Sequence, residues 1–262
     1  MLRWFEHRQV YHPSRVLESS GAELKRPFED VTFRTSDGFE LNGWFYPATD
    51  NSPRADWVWL LCHGNAGNIS TRLDLCAALL GTGLNVFIFD YRGYGRSRGR
   101  PSEEGTYQDA EAAYSWLRRK GYSENCIVAY GESLGGGVAA ELASRQPLAG
   151  LVLESSFSSA TDLGAELFAW LPVRRISRIK YDTCAKLPGL KVPVLILHSH
   201  GDDLIGFHHA EKNLALANQP KILWELSGGH SEPLTDRPRF LEGLEKFLRL
   251  VEVHQKPEAT RN

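Results

Sequence analysis

From residue 57 onward, short continuous apolar runs alternate with longer amphipathic segments, and no other feature constrains the folding of this chain as strongly. The runs lie at 57–62, 86–89, 127–130, 151–153, 194–197 and 222–226. A strand that is apolar at every position, rather than every second one, is buried on both faces. That is the condition of a parallel sheet covered by helices on each side. The intervening segments at 71–80, 105–119, 136–145, 209–217 and 238–251 read as those helices. In the second of them, Ala110, Ala113, Tyr114 and Leu117 recur at three- and four-residue spacing, which makes one buried stripe.

The N-terminal part follows a different rule. After a polar lead-in, residues 30–35 alternate at strand period. The turn Ser36-Asp37-Gly38 then leads into residues 41–46, which predicts an antiparallel hairpin. The expected architecture is α/β: a mostly parallel central sheet of about eight strands with that hairpin at its start and helices on both faces. At 262 residues the chain fits one domain, 1–262, large enough to bury its own core. The tail at 254–262 lacks apolar residues and is expected to fray.

One segment breaks the rhythm. Residues 155–191 are too many for a simple strand-to-strand connection. They carry Phe157, Leu167, Phe168, Trp170 and Leu171, then Arg174, Arg175, Arg178 and Lys180. Two readings stand. The segment is a helical excursion with a solvated basic end, or a short lid in which Phe157, Phe168, Trp170 and Leu171 wall an apolar acyl pocket.

Composition excludes several classes. A net charge of -2 offers no field for holding nucleic acid. The four cysteines, Cys62, Cys76, Cys126 and Cys184, include no C-x-x-C pair, so no metal and no redox dithiol is expected. Of the histidines, His208 and His209 read as surface residues. The first residues show no apolar core of signal-peptide length, and no stretch approaches roughly 20 apolar residues. The expectation is a soluble, cytoplasmic protein without a transmembrane segment. Nothing in the sequence sets its oligomeric state.

The chemistry centres on Gly131-Glu132-Ser133-Leu134-Gly135. It stands between a buried strand and a segment that opens a helix, so Ser133 falls on a strand-to-helix turn. Glycines there relieve backbone crowding and leave the hydroxyl exposed, while the helix N-terminus favours developing negative charge. A serine hydroxyl needs a base, and the base needs a carboxylate to fix its tautomer. His230, behind Gly228-Gly229 and after the last strand, is the base. Asp202, after the run at 194–197, is the preferred acid. Asp203 beside it and Glu154 at the end of the preceding strand are the alternatives. Two backbone N–H groups are expected to hold the oxyanion, from Leu134 after the nucleophile and from Asn65 in His63-Gly64-Asn65-Ala66-Gly67-Asn68. His63 reads as a buried residue shaping that loop. The Gly-punctuated stretch from Asp90 to Ser97 lacks a phosphate-loop ending and reads as a structural turn.

These stretches, with Tyr11-His12-Pro13-Ser14-Arg15 and Gly229-His230, together resemble the α/β-hydrolase superfamily. They are most similar to its short-lid serine-hydrolase branch, the α/β-hydrolase-domain proteins related to acyl-protein thioesterases. The resemblance covers nearly the whole chain. It implies Ser133, Asp202 and His230 as a triad, with Asn65 and Leu134 as oxyanion donors and no cofactor. The expected function is cleavage of a small-molecule carboxylic ester or acyl thioester through an acyl-enzyme on Ser133. The alternatives are a peptidase or amidase with the same triad, and a non-catalytic binding protein on the same fold.

Overall fold

Every apolar run becomes a strand of one sheet. The computed structural model describes residues 2–255. In chain order the strands are β1 (Glu29–Arg34), β2 (Glu40–Tyr46), β3 (Val58–Cys62), β4 (Asn85–Phe89), β5 (Ile127–Glu132), β6 (Gly150–Glu154), β7 (Val194–Ser199) and β8 (Lys221–Leu226). Across the sheet they lie β1-β2-β4-β3-β5-β6-β7-β8. β2 pairs antiparallel with both β1 and β4, and all other neighbours are parallel. The helices are α1 (Leu2–Val10), α2 (Leu73–Leu80), α3 (Glu103–Lys120), α4 (Leu134–Arg145), α5 (Ala160–Leu167), α6 (Val173–Ile176), α7 (Thr183–Lys186), α8 (His208–Leu216) and α9 (Arg237–Gln255).

Alternate residues of each central strand serve two separate cores. Leu60, Phe87, Ala129, Leu151 and Ile196 pack with Ala110 and Leu117 of α3, Val138 and Leu142 of α4, and Ala210 of α8. Trp59, Val86, Val128, Val152 and Leu195 pack with Leu75 and Leu79 of α2 and with Phe240 and Phe247 of α9. Each such side chain contributes roughly 1.5–3 kcal/mol on burial, which is why the runs are apolar without interruption. α3 is bounded as its sequence dictates. The Ser102 side chain accepts from Gly105 N at its start, and Gly121, at φ 110°, ends it.

The strand order places the site. The chain leaves β3 for β4 on one side, and α3 then carries it across to β5 on the other. The loops after β3 and β5 therefore diverge at the carboxyl edge of the sheet, where open α/β sheets hold their ligands. A two-residue parallel pair, His12–Pro13 with Ala66–Gly67, straps the N-terminal segment onto the loop after β3.

Three expectations need correction. The polar lead-in is the helix α1, whose apolar residues make no continuous stripe. Tertiary contacts hold it instead: Phe5 meets Phe168 edge-on at 6.0 Å, His7 Nε2 bonds Pro101 O at 2.9 Å, and the Glu6 carboxylate accepts from Arg178 N at 2.8 Å. The tail does not fray at residue 254, because α9 continues through His254 and Gln255; residues 256–262 lie outside the described residues. His209 is not a surface residue. It is 1% exposed, and its Nδ1 accepts from Ser158 N at 3.1 Å. Its Nε2–H thus points at Glu166, which His208 also bonds. No helix among the described residues is long and apolar enough to cross a membrane.

Candidate active site

Ser133 links β5 to α4 with φ 52° and ψ -115°, a left-handed conformation that costs a non-glycine residue energy. Close packing holds it there. Ser133 N donates to Glu154 O at 2.8 Å, and Ser156 Oγ donates to Ser133 O at 2.9 Å. The flanking glycines are required by proximity. A Cβ on Gly131 would lie 2.4 Å from Gly135 O, and one on Gly135 would lie 2.0 Å from Cys62 O. The turn is thus wedged against the end of β3.

The Ser133 hydroxyl lies 3.0 Å from His230 Nε2, and His230 Nδ1 lies 2.8 Å from Asp202 Oδ2. Asp202 Oδ1 accepts from Leu204 N at 3.0 Å and Ile205 N at 2.7 Å. Burial alone would raise the Asp202 pKa. The His230 bond and these two backbone donors outweigh it and hold the carboxyl below its ordinary value. An ionised Asp202 accepts only, so His230 Nδ1 carries the proton and Nε2 is free to accept from Ser133. His198, four residues before Asp202, donates Nε2–H to Ile205 O at 2.8 Å, and burial lowers its pKa toward the neutral form.

The other two carboxylates are elsewhere. Asp203 Oδ1 touches only the backbone N of His230, at 3.4 Å. Glu154 is fully buried beneath the turn, and neither carboxyl oxygen has a hydrogen-bond partner among the described residues. It pairs in register with Glu132 on the neighbouring strand. Burial, then the Glu132 charge, push its pKa well above the ordinary value and favour the neutral carboxyl.

Glu132 behaves oppositely. Although burial opposes it, the Arg72 guanidinium holds its pKa down through two bonds of 3.1 Å. Arg72 also donates to Ala66 O at 2.6 Å. One part-buried ion pair thus ties β5 to the loop after β3. The only signal for this in the sequence is the acidic residue inside the pentapeptide.

In that loop, Asn65 O accepts from His12 N at 3.0 Å and Tyr94 OH at 2.8 Å, while Asn65 Nδ2 donates to Val10 O at 3.0 Å. The backbone N–H groups of Asn65 and Leu134 have no protein acceptor among the described residues. His63 is wholly buried with Nδ1 2.7 Å from Gly64 O, a loop-shaping position. Tyr91 and Tyr94, from the Gly-punctuated turn, pack on its ring.

The aromatic residues of the excursion are not assembled into one wall. Phe157 is core. Phe168 and Leu171 line a hollow of about 80 Å³ with Phe5 and Val10 of α1, and neither Ser133 nor His230 borders it. Trp170, expected to wall an acyl pocket, is 76% exposed and lines no part of that hollow. His230 instead borders an open cleft of mixed character, walled by Arg72, Glu132 and Ser231 and by Leu75, Pro233 and Leu234.

Sheet order and the strand-to-helix turn at Ser133 are those of an α/β hydrolase. The chain belongs to that family, and the model described as "Serine aminopeptidase, S33" matches residues 53–184. That span contains Ser133 and ends before Asp202 and His230. Uncharacterized protein Rv2307c of Mycobacterium tuberculosis is 38% identical over 252 residues, 95% of this chain and 89% of its own. The alpha/beta hydrolase domain-containing protein WAV2 of Arabidopsis thaliana is 31% identical over 235 residues, 81% of this chain and 76% of its own. In fold the chain is similar to the Pyrococcus furiosus esterase Pf2001, with a TM-score of 0.74 at 23% identity, covering 92% of this chain and 97% of the other.

Proposed function

We propose that this hydrolase cleaves a small-molecule carboxylic ester or acyl thioester through an acyl-enzyme on Ser133, as a single α/β-hydrolase domain. The observation that carries the reading is the hydrogen-bonded series Ser133–His230–Asp202 at the carboxyl edge of the sheet. His230 Nε2 takes the hydroxyl proton as Ser133 Oγ attacks the acyl carbon, and Asp202 stabilises the resulting imidazolium. The N–H groups of Leu134 and Asn65 receive the oxyanion. When the tetrahedral adduct collapses, the bond to the leaving group breaks and His230 gives that group its proton. Water then repeats the sequence, with His230 as base, and releases the acid. No cofactor enters this chemistry. The four cysteines are free, which suits a cytoplasmic location.

A second reading, peptidase or amidase, is favoured by the description of the matching family model. Comparing p-nitrophenyl esters, acyl-CoA thioesters and aminoacyl amides separates the two. The first reading expects turnover of esters or thioesters that His230→Ala abolishes. Turnover confined to amides supports the second. Ester turnover unaffected by His230→Ala overturns both.

A further inference from the structure

We propose that α1 and the excursion between β6 and β7 form a docking face for an anionic lipid bilayer. Among the described residues, eight large apolar side chains are exposed, and four of these belong to the two segments: Trp4 at 63%, Phe5 at 37%, Leu167 at 51% and Trp170 at 76%. The segments are in direct contact. Phe5 meets Phe168, and the Glu6 carboxylate accepts from Arg178 N and from Ile179 N at 3.1 Å. Aromatic side chains left in water at one site are unusual for a free surface and suit the headgroup layer of a membrane.

The charge around them selects the partner. Arg3, Arg8, Arg175, Arg178 and Lys180 are all exposed, and none has an ion-pair partner among the described residues. The acidic groups nearby are otherwise engaged. Glu6 faces inward onto the excursion backbone, Asp162 pairs with Arg174 and Lys212, and Glu166 with His208 and His209. Cations without ion-pair partners on the same two segments as the exposed tryptophans, Arg8 lying 4.9 Å from the Trp4 ring, match a layer of lipid phosphates over an apolar interior. The face is also joined to the candidate site, because the C-terminal end of α1 is bonded to the Asn65 side chain through Val10 O. Docking by this face sets the loop after β3 close to the lipid surface.

Cosedimentation of the full chain with phosphatidylcholine–phosphatidylserine vesicles and with phosphatidylcholine vesicles tests this. The protein is expected to bind the anionic vesicles, and added salt is expected to release it. Arg175→Glu/Arg178→Glu is expected to weaken binding at least about tenfold, each cation near such a surface contributing on the order of a kilocalorie per mole. Trp4→Ala/Trp170→Ala is expected to weaken it as well, with thermal melts confirming that both variants fold. Binding to neither vesicle, equal binding to both, or full retention by the folded variants overturns the proposal. So does sedimentation velocity showing that the same residues mediate self-association instead. Binding is read without turnover, so its failure leaves the reading of Ser133 intact.

Discussion

Ser133 holds a conformation that a serine adopts only when its surroundings force it, at a cost of order 1–3 kcal/mol. Ser156 Oγ and Glu154 O fix its two backbone ends and direct the hydroxyl at His230. At this scale the acid is the sharpest question. Asp202→Asn keeps the shape but lets His230 take the wrong tautomer, and kcat is expected to fall about 10⁴-fold. Asp203→Asn and Glu154→Gln are expected to leave most of the activity, because neither side chain touches the imidazole. Steady-state kinetics on an ester substrate checks this, and equal losses in all three variants would remove Asp202 from the role. Position after β7 favoured Asp202 in the sequence, but only the register of the His230 loop separates it from the adjacent Asp203.

At the level of elements, the ends of β5 and β6 carry a carboxyl pair, Glu154 buried and Glu132 part-buried, whose members are tuned apart. Glu154 has a folded pKa well above the ~4.3 of an unfolded glutamate. The stability it contributes is therefore fully present below that unfolded value and is lost as pH rises through the folded one. Melting temperature is expected to decline as pH rises above that unfolded value in the wild type and to decline less in Glu154→Gln. Identical slopes would show that Glu154 is not the group responsible. Its partner Glu132 depends on Arg72, and Arg72→Met leaves a part-buried carboxylate without its donor. Chemical denaturation is expected to show a loss of roughly 1–3 kcal/mol. Between β5 and α4, Gly135→Ala would drive a methyl group into Cys62 O, and a loss of about 3 kcal/mol is expected in the same assay. The glycines were legible as a turn. The ion pair was not, because Arg72 and Glu132 lie sixty residues apart and nothing in either local pattern marks the other.

Across the whole molecule, the parts with a strong local period were readable before any coordinates. The runs at 86–89 and 194–197 became β4 and β7 with only their ends extended, since burial on both faces leaves few other fates for them. α1 was not readable, because Trp4, Phe5 and Val10 make no stripe and the helix is held by contacts with a segment some 170 residues away. The same limit explains Trp170, an aromatic residue expected to line a pocket and found at the surface. Ser133 and His230 were placed by their positions after strands, which the sheet order then brought within 3.0 Å. Labelling the folded chain with a fluorophosphonate and mapping the adduct by mass spectrometry asks whether that proximity makes a nucleophile. Modification of Ser133, lost in Ser133→Ala and strongly slowed in His230→Ala, is the predicted result. No adduct on the folded wild type, or equal labelling of Ser133→Ala, would contradict it.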